Sequence, residues 1–383
     1  MSTISEVARI GSTPEQLTIE WADGAVAEFP GVWLRDNVPE DRDPHSGQRL
    51  VDITDLPAQP LIRSASVAGD RVYIEWESET ATATFTVAWL AAQSAGDAWE
   101  RPERITTTWL HGATMHAAHD FAWVSPAELR CDSAAKLHWL TRLLQTGVAF
   151  LSAVPSTESA ILDAMGLVGR VCETNYGEVF DVRSVPLPEN LAYSDLGLGL
   201  HTDNPYREPV PGFQALHVLL AAPDGGESVF ADGFALSNQL RVIDPQAFDV
   251  LTRTPVPFHY RSKDAELYAE RPLIQLSCRG EVNAVHYNNR SIAPLRIEPR
   301  AAAGFYRAYR VFAELLREPS HQLKFAMGDG DLVLFDNQRI LHGRSAFSSA
   351  KHARHLRGCY LTRDSVYSEA ALLRRRMAIS EPP

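Results

Sequence analysis

Leu198-Gly199-Leu200-His201-Thr202-Asp203-Asn204-Pro205-Tyr206-Arg207-Glu208-Pro209-Val210-Pro211-Gly212-Phe213-Gln214-Ala215-Leu216-His217-Val218-Leu219-Leu220 is the stretch around which the rest of this chain is organised. It opens with an imidazole and a carboxylate two residues apart, His201 and Asp203. On extended backbone, residues i and i+2 point to the same side, so both can reach one metal ion. Pro205 to Gly212 reads as a turn, and Phe213 to Leu220 as a buried strand. Far downstream, Gly330-Asp331-Leu332-Val333-Leu334-Phe335-Asp336-Asn337-Gln338-Arg339-Ile340-Leu341-His342-Gly343-Arg344 gives an apolar strand, a polar turn and a histidine at the start of the next strand. Two histidines and one carboxylate on one face of a metal make the facial triad of non-haem Fe(II) oxygenases, with coordination positions left open. Taken singly, His201 with Asp203 would also suit a solvated loop pair, and His342 a core histidine with satisfied hydrogen bonds.

Composition narrows the field. A chain of 383 residues that is 45% hydrophobic has room for two domains with ordinary globular cores. A net charge of −12 argues against a nucleic-acid partner. No apolar run approaches the length of a membrane span, so no membrane partner is expected. The start, Met1 to Glu6, has no basic region followed by an apolar core, so no signal peptide is expected. Cys131, Cys172, Cys278 and Cys359 are scattered with no CxxC pair. A reduced, cytoplasmic protein is the expectation.

Residues 1–95 read as a small β-rich domain. Leu17 to Trp21 and Ala25 to Phe29 flank Asp23-Gly24, a hairpin signal. Arg71 to Trp76 and Thr82 to Val87 suggest a second hairpin, with Trp89-Leu90 opening a short helix. Residues 96–112 read as a linker, and 113–383 as the larger domain. There, Ser125-Pro126-Ala127-Glu128 is a helix start. Leu137, Leu140, Leu143 and Leu144 form its apolar face, and Gly147 its end. A strand at 148–154, a helix at 157–168 and a long helix at 300–317 follow the same logic. Strands are expected at 213–220, 227–231, 256–260, 282–287, 331–335 and 356–361. The whole is mainly β with helices: a double-stranded β-helix, or jelly roll, with a small β-rich N-terminal domain.

Several blocks carry a more specific likeness: Val32-Trp33-Leu34-Arg35-Asp36-Asn37, Asn190-Leu191-Ala192-Tyr193, His201-Thr202-Asp203, Gly225-Gly226-Glu227-Ser228, Asp232-Gly233-Phe234, Phe335-Asp336-Asn337 with Leu341-His342-Gly343-Arg344, and Arg354-His355-Leu356. In these, and over nearly its whole length, the chain resembles the γ-butyrobetaine and trimethyllysine hydroxylases. These are Fe(II)/2-oxoglutarate dioxygenases related to taurine dioxygenase. The resemblance implies His201, Asp203 and His342 as iron ligands. It implies Arg354 as the fork onto the distal carboxylate of 2-oxoglutarate, and Ser228 as a second contact to that co-substrate. It also implies an aromatic cage for a trimethylammonium group at Tyr176, Phe180, Tyr193 and Tyr360, with Phe180 standing where relatives often have Trp. Asn190, Asn288 and Asn289 match residues that meet the substrate's anionic end, and Arg290 follows them directly. The implied cofactors are Fe(II), 2-oxoglutarate and O2, with ascorbate as support. The implied partner is a small quaternary ammonium substrate, and the implied assembly a homodimer.

One departure stands out. Relatives often bind zinc in the N-terminal domain through three cysteines after Leu-Arg-Asp-Asn and a later histidine. Here Asn37-Val38-Pro39-Glu40-Asp41-Arg42-Asp43 has no cysteine, and Thr80-Ala81 no histidine, so no structural zinc is expected. The expected reaction couples oxidation of 2-oxoglutarate to succinate and CO2 with hydroxylation of an unactivated C–H. Two substrates fit an ammonium cage facing an anion site: γ-butyrobetaine, giving carnitine, and 2-(trimethylammonio)ethylphosphonate. The missing zinc ligands and Arg290 lean the sequence reading toward the phosphonate. The alternative of another class is a non-catalytic jelly-roll binding protein.

Overall fold

The computed structural model describes residues 6–94, 106–183, 197–222, 225–346 and 354–380. The chain divides into two compact units, Met1–Arg101 and Pro102–Pro383. The first unit holds two three-stranded antiparallel sheets. One comprises Val7–Thr13, Gln16–Trp21 and Val26–Pro30; the other comprises Ile62–Ala68, Arg71–Trp76 and Thr82–Thr86. Alternation builds its core: Leu17, Ile19 and Trp21 on one strand and Val72, Ile74 and Trp76 on another all point inward. At Asp23-Gly24 the Asp23 carboxylate accepts the Ala25 N–H at 2.9 Å, and Gly24 takes the positive φ that the turn requires. Arg35 bridges two segments of this unit. It donates to Glu79 at 2.7 Å and also pairs with Asp41.

The second unit is a double-stranded β-helix. A seven-stranded sheet runs in the order Phe180–Arg183, His355–Leu361, Phe213–Leu220, Leu332–Asp336, Val148–Leu151, Ala122–Val124, with Val171–Cys172 also paired to His355–Leu361. A four-stranded sheet runs Leu198–His201, Ile340–Arg344, Ser228–Asp232, Leu323–Phe325. Pairing is antiparallel except between Ala122–Val124 and Val148–Leu151.

Strand parity decides which side chains face the site. On the large sheet Ala149, Leu151, Leu332, Leu334, Phe213, Ala215, Cys359 and Leu361 face outward. There they pack under helices Ser133–Thr146, Ala160–Met165 and Arg363–Ser380. The alternate residues Val148, Phe150, Val333 and Phe335 face the small sheet, where they meet Phe230, Leu323, Phe325 and Ile340. The same inward parity on neighbouring strands selects Gln214, Leu216, Leu356 and Tyr360, which line a cavity between the sheets. On the outer face of the small sheet, Ala231 and Leu341 pack with helices Gly233–Ile243, Pro245–Arg253 and Pro299–Arg317.

Some expected elements are redrawn. The helix opening at Ser125 has the expected capping box with Glu128, but it stops at Cys131. Asp132 breaks it and caps a new helix, Ser133–Thr146, by accepting the N–H groups of Ala134 and Ala135. Gly147 ends that helix with φ 82°, as its sequence position suggested. The helix expected at 157–168 shrinks to Ala160–Met165, and the strand at 148–154 to Val148–Leu151. Helices Gly233–Ile243, Pro245–Arg253 and Arg363–Ser380 were not expected. Of the expected linker 96–112, residues 96–105 lie outside the described residues. The Thr107 N–H bonds the Gln145 carbonyl and the Trp109 indole bonds the Thr146 carbonyl. Among the described residues, no helix is long and apolar enough to cross a membrane.

Candidate metal centre and its aromatic cavity

His201 is the last residue of Leu198–His201 and pairs in register with His342 on Ile340–Arg344. That pairing brings the two imidazoles together across one strand gap, with ring centroids 4.3 Å apart. Asp203 follows two residues later, just past the strand end. Its carboxylate lies 3.2 Å from His201 Nε2 and 3.8 Å from His342 Nε2. One ligand atom from each of the three residues falls within 4.8 Å of the others, so a single metal ion fits between them. His201 Nδ1 sits 2.9 Å from the Gly199 carbonyl. A carbonyl can only accept, so Nδ1 carries the proton and Nε2 offers its lone pair to a metal.

The turn that presents Asp203 is held from two sides. Asn337, fully buried in the turn before His342, accepts the Asp203 N–H at 2.8 Å and donates to the Asp203 carbonyl at 3.0 Å. Its amide also reaches the Pro211 carbonyl at 3.2 Å. From the other side the Thr202 N–H bonds the Tyr287 carbonyl, and the Thr202 hydroxyl accepts the Tyr287 N–H. Asn288 donates to the Thr202 carbonyl at 3.1 Å. Asn204 closes the turn at φ 56°, a conformation that asparagine tolerates, and accepts the Tyr206 hydroxyl at 2.7 Å.

Electrostatics match a metal centre. Burial alone would raise the Asp203 carboxyl, but the adjacent His201, His342 and Arg290 outweigh it. The group is held well below the usual carboxylate range. Burial, then His201 and Arg290, push His342 down to about 3 against the pull of Asp203. It therefore stays a neutral imidazole near pH 7, the form that ligates metals.

The cavity in front of the triad has a volume of about 400 Å³. Arginines and aromatic rings line it together, and Arg290 lies within charge range of Tyr206, Tyr176 and Tyr360. Arg354 and Ser228, both buried, line it as expected from the sequence, and Arg344 joins them. Burial and then the charge of Arg344 bring Arg354 down to about 10, so it remains a cation. Among the rings, Phe180 stacks on Tyr360 with centroids 5.1 Å apart, and Tyr176 lies 6.3 Å from Phe180. Tyr260 then meets Tyr176 edge-on at 6.1 Å and stacks on Tyr206 at 5.0 Å. Phe180 can lie against its neighbouring strand because its register partner is Gly358; a Cβ there would come within 2.4 Å of the ring. The Tyr360 hydroxyl donates to Asp203 Oδ2 at 2.9 Å.

Most sequence-predicted residues converge here: His201, Asp203, His342, Arg354, Ser228, Tyr176, Phe180, Tyr360, Asn288 and Arg290 are brought to one cavity. Asn289 is not. It is exposed and lines a separate cavity with Tyr287 and Tyr309. The side-chain amide of Asn288 is directed to the Thr202 carbonyl, and its oxygen accepts the Arg290 N–H at 3.3 Å. Asn190 and Tyr193 lie outside the described residues. Sequence reasoning missed Arg344, Tyr206, Tyr260 and Asn337. Arg344 was the accessible one, since it stands two residues after His342 and shares its strand face.

Comparison with known proteins identifies the family. Residues 112–360 match the family described as "Taurine catabolism dioxygenase TauD, TfdA family", and residues 9–91 match "Gamma-butyrobetaine hydroxylase-like, N-terminal". The chain is 33% identical to a γ-butyrobetaine dioxygenase of Pseudomonas sp. (strain AK-1), with 97% of each chain covered. It is 28% identical to the γ-butyrobetaine dioxygenase of Homo sapiens, covering 94% of this chain and 95% of that one. A solved taurine dioxygenase from Burkholderia xenovorans superposes with TM-score 0.45 at 17% identity, covering 62% of this chain and 82% of that one.

Proposed function

The chain belongs to the taurine catabolism dioxygenase TauD, TfdA family of Fe(II)- and 2-oxoglutarate-dependent dioxygenases, and from that premise we propose that it hydroxylates an unactivated C–H of a small trimethylammonium zwitterion. When bound, iron and 2-oxoglutarate supply the chemistry that puts one oxygen of O2 into the C–H bond, with succinate and CO2 as co-products. The protein's share is placement. His201, Asp203 and His342 would hold the metal on one face. Arg354, with Ser228, would hold the distal carboxylate of 2-oxoglutarate, because a planar guanidinium matches a carboxylate with two parallel bonds. We assign these roles to the second unit, within 113–383.

The observation that carries the substrate reading is the ring array. A quaternary ammonium has no N–H to donate, so aromatic faces are what can recognise it. Tyr176, Phe180 and Tyr360 stand beside the triad, and Tyr206 and Tyr260 extend the wall. Arg290 lines the same cavity and supplies a positive charge for the anionic end. The similarity to γ-butyrobetaine dioxygenases supports a carboxylate there. A phosphonate, toward which the sequence leaned, gains nothing from these relatives; Arg290 is the one feature that favours its higher charge.

The test is succinate formation by purified protein with Fe(II), 2-oxoglutarate, O2 and ascorbate, given γ-butyrobetaine and 2-(trimethylammonio)ethylphosphonate in separate reactions. Coupled turnover with either supports the reading, and the faster one names the anion. Turnover with neither would remove it and favour a binding protein that retains the jelly roll. Arg290→Ala should raise KM for the preferred zwitterion; an unchanged KM would show that Arg290 does not meet the anion.

A further inference from the structure

We propose that Tyr360 is a positioning residue that ties the aromatic box to the metal carboxylate, so that one side chain serves both the quaternary ammonium and the metal. The proposal rests on the function proposed above and adds a role for the hydroxyl of a ring otherwise read only as a cage wall. The two oxygens of Asp203 are divided between partners. Oδ1 lies 3.2 Å from His201 Nε2, while Oδ2 accepts the Tyr360 hydroxyl at 2.9 Å. That second bond restrains the rotation of the carboxylate, whose Oδ2 also lies 3.8 Å from His342 Nε2. Outer hydrogen bonds of this kind orient metal ligands and tune their donor strength.

Tyr360 is well placed to hold such a bond. It is buried, and its strand is paired on both sides, with Gln214 on one neighbour and Cys172 on the other. Its ring stacks on Phe180 at an interplanar angle of 30°, so the ring plane that faces an ammonium also sets where the hydroxyl points. A phenylalanine would wall the box equally well but could not hold Asp203.

The test separates the two jobs with two simple probes: Mn(II), and tetramethylammonium as a cation with no anionic end. Both are titrated calorimetrically into the full chain. Tyr360→Phe, which keeps the ring and its volume, should weaken Mn(II) binding by about 10–100-fold. It should change tetramethylammonium binding by less than about threefold, since a phenyl face still attracts a cation. Phe180→Ala should do the reverse. Unchanged Mn(II) affinity in Tyr360→Phe would overturn the proposal, and so would a parallel loss of both probes, which is what a loosened fold would give. Wild-type protein that binds neither probe would overturn the proposed function itself, an outcome distinct from a failure confined to Tyr360→Phe.

Discussion

Asn337→Ala should weaken both the second unit and its grip on metal, and the two effects can be sized separately. Asn337 makes three hydrogen bonds: it accepts from the Asp203 N–H and donates to the Asp203 and Pro211 carbonyls, at 2.8, 3.0 and 3.2 Å. At a net contribution of about 1 kcal/mol each, their loss costs about 3 kcal/mol. That is a large share of the roughly 5–15 kcal/mol by which proteins are stable, yet it should leave the variant folded. The second effect follows from what the clamp holds. With its backbone released, Asp203 no longer meets the imidazoles in one fixed place, and metal affinity should fall by about 10–100-fold. Metal adds stability in proportion to the logarithm of its concentration over Kd, so the metal-derived part should shrink by about 1.4–2.7 kcal/mol at saturating metal. Urea unfolding of wild type and variant, with and without saturating Mn(II), reads both quantities. If the variant loses stability while the Mn(II)-derived increment stays at the wild-type value, Asn337 braces the fold but does not position Asp203.

Three further predictions come from other parts of the second unit. Arg339→Ala breaks a fully buried pair in which Arg339 forks onto Asp232 at 3.1 and 2.7 Å and also serves the Gln145 and Thr107 carbonyls. It should cost about 3–5 kcal/mol by urea unfolding, and a loss under about 1 kcal/mol would refute that weight. Gly358→Ala drives a methyl into the Phe180 ring and should push the ring off Tyr360. The expected result is a rise in substrate KM of about tenfold with kcat little changed, the scale of one cation–π contact; a fall in kcat alone would contradict it. Burial, then Arg271 and Arg363, push His286 down to about 3, so the folded state keeps it neutral where the unfolded chain would protonate it. Its contribution is complete above the unfolded value of about 6.5 and is lost as pH falls toward 3, about 2 kcal/mol by pH 5. His286→Leu should flatten that limb of the stability curve measured by urea midpoints, and a limb of unchanged slope would show that other groups carry it.

The legible parts of this chain were those where one strand carries several signals at once. His201, Asp203 and His342 combine chemistry with strand parity, and the structure brings them within ligating reach of one another. The apolar strands expected at 148–154 and 331–335, observed as Val148–Leu151 and Leu332–Asp336, were visible because buried strands read as continuous hydrophobic runs. Other features depended on partners distant in sequence. Arg339 looks like a surface arginine until Asp232 is folded against it from 107 residues away. Tyr206 and Tyr260 carry no cage signal of their own and become a wall only when stacked on each other. Asn337 was noticed as part of a motif, but its role is set by a backbone 134 residues distant. Asn289, which the resemblance matched together with Asn288 to the anion-binding residues, lines a different cavity from its neighbour. The helix Arg363–Ser380 was legible in principle, since Val366, Ala370, Leu373 and Met377 recur at helical spacing and pack on the outer core.

The most direct test of the account is whether turnover depends on the cation that the aromatic box would recognise. Succinate formation should be measured with γ-butyrobetaine and with 5,5-dimethylhexanoate, in which carbon replaces the quaternary nitrogen at nearly the same shape. If the rings select a trimethylammonium group, the zwitterion drives succinate formation in step with hydroxylation, and the neutral-headed isostere falls behind by about tenfold or more in kcat/KM. Equal turnover of the two compounds would contradict the account, because the rings would then be acting as apolar surface and not as a cation site.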